Sequence, residues 1–339
     1  KINPNYAEAY MNKAKAYNIQ NNLDKVIICL EIVIKINPKC FEAYNNLGLA
    51  FQKKGDLICA ERVYKKALKF GQNLYHIYNN LGVVYKNQNK FDKSIEHYEK
   101  ALENNSNFVE AYINKGNCLK DYKHFEAAID SYNKAIEINP NFAEVWNNLG
   151  NCLNDLENLD EAINCYKKAI KISPNYAEAM NNIGVSYLNK GDLGKAIDSF
   201  RKAIIINPNF SECYNNLGIA LMNKGESELA ISHYKQALII KPDYVDANFN
   251  LATIYYKIGQ FKNAAELFLK DKSSKSQNNL LQCFFNQDEK SLFYNHLNTL
   301  FERGETNAVI GSYTSRANIK YNLNKMNPFC NNPLKYVLE

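Results

Sequence analysis

A pattern of aromatic, small and turn-forming residues recurs eight times in this chain at an unbroken spacing of 34 residues. Repetition at that period excludes an ordinary single-core globule and calls for stacked copies of one small unit. With Ala7, Phe41, Tyr75, Val109, Ala143, Ala177, Ser211 and Val245 taken as position 1, position 4 is aromatic in six repeats: Tyr10, Tyr44, Tyr78, Tyr112, Trp146 and Tyr214. Met180 and Asn248 are the departures. Positions 7 and 8 carry Leu47-Gly48, Leu81-Gly82, Leu149-Gly150, Ile183-Gly184 and Leu217-Gly218. Position 20 is small (Ala60, Ser94, Ala128, Ala162, Ala196, Ala230, Ala264), and position 24 is aromatic from Tyr64 through Tyr98, Tyr132, Tyr166, Phe200 and Tyr234 to Phe268. Position 27 is alanine from Ala67 to Ala237, and position 32 is Pro38, Pro140, Pro174, Pro208 and Pro242, with Gln72 and Ser106 elsewhere.

At about 100° per residue, positions 4, 7, 8 and 11 fall on one face of a first helix, and positions 20, 24 and 27 on one face of a second. Glycine at position 8 and alanine at position 20 let the two helices approach closely, and the aromatics fill the space beside them. Positions 15 to 17 read as turns, as in Gly55-Asp56-Leu57 and Gly191-Asp192-Leu193. Proline at position 32 ends the second helix and re-aims the chain. In period, aromatics, small residues and proline the sequence resembles the tetratricopeptide repeat family, whose helical hairpins stack into a solenoid. The expected fold is therefore all-α: a right-handed superhelical solenoid with a C-terminal helical cap. Residues 1–6 read as the tail of a preceding repeat at a cut edge, 7–272 as eight tandem repeats, and 273–339 as a cap and a connector toward a further domain.

Hydrophobic residues make up 46% of the chain, enough for a folded protein, and no run of apolar residues is long enough to span a membrane. The net charge of +6 arises from 41 basic and 35 acidic side chains interleaved along the second helices, as on a solvated helix face. Acidic residues at position 2 (Glu8, Glu42, Glu110, Glu144, Glu178, Glu212, Asp246) argue against a groove that tracks phosphates, so neither nucleic acid nor membrane is an expected partner. The nine cysteines are scattered and odd in number, with no C-x-x-C pair, which fits reduced packing residues in a cytoplasmic compartment. His97-Tyr-Glu99 and His124-Phe-Glu126 imitate a metal motif, but lie at different repeat positions and lack a third ligand. With no phosphate loop, nucleophile elbow or triad signature, the sequence calls for no enzyme within these residues, no metal and no cofactor.

The opposite face of the first helix comprises positions 2, 5, 6, 9, 12 and 13. Position 6 is asparagine in all eight repeats: Asn12, Asn46, Asn80, Asn114, Asn148, Asn182, Asn216 and Asn250. Position 5 adds Asn45, Asn79, Asn147, Asn181 and Asn215. Asparagine inside a helix costs several tenths of a kcal/mol against alanine, so its recurrence has a cause. One reading is that the amides tie neighbouring repeats together. The other is that they grip the backbone of an extended peptide, whose alternating C=O and N–H groups suit an amide. In this feature the array is similar to the superhelical recognition region of O-GlcNAc transferase and its bacterial relatives, which implies peptide binding at those eight asparagines. The carboxylate clamp of chaperone-binding members of the repeat family uses lysine or arginine at positions 2 and 6, and neither stands there in this chain.

After Phe268 the pattern breaks: Asp271 stands at position 27 and Lys272–Ser276 is polar. Two further helices are expected, over Asp288–Arg303 and Thr306–Tyr321, the first with an apolar stripe of Leu292, Phe293, His296, Leu297, Leu300 and Phe301. Such a cap covers the open end of a stack, with His296 as a bonded packing residue. The stretch Asn307–Arg316 with the turn-rich ending around Pro328 and Pro333 resembles the junction in bacterial repeat proteins that continue into an iron/2-oxoglutarate oxygenase-like domain. The favoured reading is a protein- or peptide-binding scaffold. The alternatives are the substrate-selecting arm of an enzyme, whether glycosyltransferase-like or oxygenase-like, whose catalytic domain lies outside these residues, and a structural rod that self-associates.

Overall fold

The computed structural model describes residues 6–71 and 74–321, and among them every regular element is helical. The chain divides into two compact units, Lys1–Pro174 and Asn175–Glu339. The first holds five hairpins: α1 (Ala7–Ile19) with α2 (Leu23–Ile36), α3 (Phe41–Lys54) with α4 (Leu57–Ala67), α5 (Leu74–Asn87) with α6 (Phe91–Asn104), α7 (Val109–Asp121) with α8 (Phe125–Ile138), and α9 (Ala143–Asp155) with α10 (Leu159–Ile172). The second holds α11 (Ala177–Asn189) with α12 (Leu193–Ile206), α13 (Ser211–Lys224) with α14 (Ser227–Ile240), and α15 (Val245–Lys257) with α16 (Phe261–Phe268). It ends in α17 (Ser274–Asn286), α18 (Lys290–Glu302) and α19 (Ala308–Lys320). Within each unit every helix up to α18 packs on the next, which is the hairpin solenoid read from the period, and α19 packs back on α17.

The core of the six hairpins from α3–α4 to α13–α14 is a ring laid on a glycine. A Cβ built on Gly82, Gly116, Gly150, Gly184 or Gly218 would lie 2.5–2.6 Å from the ring of Tyr98, Tyr132, Tyr166, Phe200 or Tyr234, and Gly48 meets Tyr64 in the same way. These rings and the position-20 residues beside them are essentially fully buried. Where position 20 is Ser94, its hydroxyl donates to the Gly82 carbonyl at 2.8 Å. The turn at position 15 is left-handed in every repeat, through Gly55, Gly191, Gly225 and Gly259, but also through Asn21, Asn89, Lys123 and Glu157. At position 16, Asn22, Asp56 and Asp192 cap the second helix by accepting from the backbone N–H three residues on. At position 31, Asn37, Asn105, Asn139 and Asn207 each accept from the N–H two residues on, a side-chain turn that redirects the chain, beside a proline in all but Asn105.

The last segment departs from expectation in one respect. The polar run after Lys272 is the first turn of a whole helix, α17, that periodicity alone did not reveal. Ser273 caps it by accepting from the Ser276 N–H, while Asp271 accepts from the Ser273 amide at 2.9 Å and from the Ser276 hydroxyl at 2.5 Å. The two later helices stand where the sequence placed them, with Phe293, Leu297 and Leu300 buried but Leu292 exposed. His296 Nε2 lies 3.0 Å from the Gln277 carbonyl oxygen and its ring meets Phe284 edge-on, a packing histidine as expected. The tail of a preceding repeat, the connector after Tyr321, Gln72 and Cys330 lie, apart from Tyr6, outside the described residues.

Candidate functional site

Position 6 places its asparagines on the side of the first helix turned away from the second, half-buried at Asn46, Asn80, Asn114, Asn148, Asn182, Asn216 and Asn250 and exposed at Asn12. Position 5 is different: Asn79, Asn147, Asn181 and Asn215 are buried. The reason is a pairing rule. Asn80 Nδ2 donates to Asn45 Oδ1 at 2.9 Å and Asn114 Nδ2 to Asn79 Oδ1 at 3.0 Å. In the second unit Asn216 donates to Asn181 at 3.1 Å and Asn250 to Asn215 at 2.9 Å. In these four repeats the position-6 amide thus bonds the position-5 amide of the repeat before it.

The two irregularities follow from the sequence. Repeat four carries Ile113 at position 5, so Asn148 donates instead to Asn117 Oδ1 at 3.2 Å, an acceptor that also takes the Tyr132 hydroxyl at 2.7 Å. Repeat one carries Met11, and no described residue bonds the Asn46 side chain. Asn46 lines a cavity of about 290 Å³ with Met11, Lys15, Glu42 and Lys53. The neighbour-tying role weighed from the sequence is therefore present, and it fixes the amide's orientation. The Oδ1 atoms of Asn80, Asn114, Asn148, Asn216 and Asn250 take no hydrogen bond from any described residue.

Around this row the position-2 acids are exposed. Glu110 accepts from Asn79 at 3.2 Å, and Glu42 lies 3.6 Å from Lys15. Glu144, Glu178, Glu212 and Asp246 make no hydrogen bond or ion pair with a described residue. Burial, then the carboxylates of Asp246 and Glu212, push the Tyr244 phenol up to about 12. At position 4, Trp146 Nε1 donates to the Pro140 carbonyl at 2.9 Å under Lys168, and the replacement Asn248 donates to the equivalent Pro242 carbonyl at 3.3 Å.

The metal-like pairs dissolve into packing. His97 Nδ1 lies 2.8 Å from the Lys93 carbonyl oxygen and its ring packs 4.8 Å from Tyr85, while His124 packs on Tyr122. Among the described residues no three His, Cys, Asp or Glu side chains gather as a metal site. Burial pushes the thiols of Cys152, Cys213 and Cys283 up to about 12 and that of Cys165 to about 11, so these are poor nucleophiles. No helix among the described residues is long and apolar enough to cross a membrane.

Models of the tetratricopeptide repeat match residues 7–40, 41–70, 76–108, 109–142, 143–176, 177–210 and 199–232, and a TPR repeat model matches 220–259. The chain belongs to the tetratricopeptide repeat family. Among solved structures this TPR chain is similar to a tetratricopeptide repeat protein from Parabacteroides merdae ATCC 43184, at 19% identity and a TM-score of 0.60, over 72% of this chain and 98% of that one. It is similar to pilF of Pseudomonas aeruginosa at 19% identity and a TM-score of 0.53, over 61% and 94% of the two chains. The APC/C hetero-tetramer Cut9–Hcn1 matches at 16% identity and a TM-score of 0.56, over 82% of this chain and 56% of that one. At these identities the likeness is one of fold. Comparison with curated proteins gives no match.

Proposed function

We propose that this TPR chain is a protein-binding scaffold whose position-6 asparagines hold the main chain of an extended partner segment. TPR arrays as a class present extended surfaces to partner proteins, and the finer assignment is to Asn12, Asn46, Asn80, Asn114 and Asn148 in the first unit and Asn182, Asn216 and Asn250 in the second. The observation that carries it is the pairing rule. An amide that spends one N–H on the preceding repeat is held in one rotamer. At Asn216 and Asn250 the second N–H and the Oδ1 remain to meet a peptide C=O and N–H, and ordering them adds little entropic cost on binding. A binding role, with no chemistry of their own, is what these residues support, and reduced thiols favour a cytoplasmic setting.

The two asparagine positions separate the roles in one experiment. Asn215 is buried and serves only the tie between repeats, whereas Asn216 has both the tie and an outward face. Asn215→Ala and Asn216→Ala should each lose about 1 kcal/mol of stability with the lost inter-repeat bond. Only Asn216→Ala should weaken capture of an unstructured binding partner, by roughly three- to tenfold for one net hydrogen bond. Equal affinities of the two variants, measured by titration calorimetry, would reduce the ladder to a structural tie.

A further inference from the structure

Resting on the amide-row reading, we propose that the first-helix face of the second unit selects extended segments in which basic residues alternate with apolar ones. Three rows cross α11, α13 and α15. The amide row lies in the middle. One turn toward the helix N-termini, about 6 Å away, stand Glu178, Glu212 and Asp246, all exposed and none bonded to or ion-paired with a described residue. About 4.5 Å the other way come Val185 and Ile219, followed by Leu188 and Met222 at the next turn. These four apolar side chains are half-buried and pack on the hydrophobic core beneath them, leaving their outer surfaces uncovered. Repeat eight continues the rows with Thr253 and Tyr256.

An extended strand sends successive side chains to opposite sides of its main chain. Laid along the amide row, it turns one set of side chains to the carboxylates and the other to the apolar row. Unpaired carboxylates favour cationic partners and reject acidic ones. The apolar row gains by covering hydrocarbon, at about 25 cal/mol per Å². The apolar row is not continuous in the first unit. In the first unit the corresponding positions of repeats four and five are Asn117, Lys120, Asn151 and Asn154, which offer no apolar strip.

The test is fluorescence anisotropy of the whole chain with three short labelled peptides: alternating lysine and leucine, the same residues as a lysine block followed by a leucine block, and alternating glutamate and leucine. The alternating basic probe should bind at least about tenfold more tightly than either of the others. Glu212→Lys with Asp246→Lys should remove most of that preference, and Ile219→Ser with Met222→Ser should weaken the same probe by a similar factor. Helical content, followed by circular dichroism, should stay at the wild-type level in both variants. Equal binding of the block or the acidic probe, or no binding of the alternating basic one, overturns the proposal. Asn216→Ala tells the two levels apart. If the probes bind equally and it weakens them, the amide-row function stands without this selectivity. If it changes no probe's affinity, both fail.

Discussion

A glycine inside a helix costs about 1 kcal/mol relative to alanine, yet Gly48, Gly82, Gly116, Gly150, Gly184 and Gly218 all sit inside first helices. Each accepts a buried ring where a methyl group would stand. Gly150→Ala should therefore destabilise by about 2–3 kcal/mol through overpacking against Tyr166, in spite of its better helix propensity. Gly194 in α12 is the control: a Cβ there meets nothing nearer than Asp192 Oδ1 at 3.9 Å. Gly194→Ala should stabilise by about 0.5–1 kcal/mol. A second residue-scale consequence lies in the turns. Glu157 holds φ 61° where four other repeats use glycine. A left-handed conformation costs a residue with a Cβ about 1–2 kcal/mol, so Glu157→Gly should raise the unfolding midpoint in urea. A lower midpoint would mean that the glutamate makes a compensating contact.

At the scale of the element, the sequence marked all sixteen helices of the eight repeats by the same signals, and α16 ends at Phe268, ahead of Asp271 at position 27. What escaped was α17. Its opening is Ser-Ser-Lys-Ser, which reads as a linker until Asp271 and Ser273 are seen to satisfy the amides of its first turn. Burial disfavours the Asp271 carboxylate, but hydrogen bonds from Ser273 and Ser276 outweigh it and hold the group below the usual range. Asp271→Ala should cost about 2–3 kcal/mol, as for hydrogen bonds to a charged acceptor, with the loss concentrated in hydrogen exchange of α17. Uniform loss across α11 to α19 would instead make that terminal region one cooperative block. The binding face was legible only in part. Eight asparagines at one register are visible in the sequence, but position 5 looked equivalent to position 6 until its burial and acceptor role separated them. A helical wheel assigns direction, not which neighbour covers a side chain.

At the scale of the whole molecule, its histidines set a pH response of fixed sign. Desolvation by burial lowers His97, His233 and His296 below the ordinary imidazole value, although backbone hydrogen bonding opposes this at His97 and His296. A lowered histidine binds fewer protons folded than unfolded, so stability rises with pH across the interval between the two values. Their contribution is complete above the unfolded value of about 6.5 and is lost progressively as pH falls below it toward the lowered folded values. The depressed carboxylates, Glu61, Asp271 and Asp288 among them, act in the same direction but at lower pH, below their unfolded values of about 4. Thermal unfolding should thus show a falling midpoint between about pH 7 and pH 5, before carboxylate titration begins. Replacing all three histidines with glutamine should flatten that interval while leaving the steeper acid limb in place. An unchanged slope in the triple variant would assign the response to other groups.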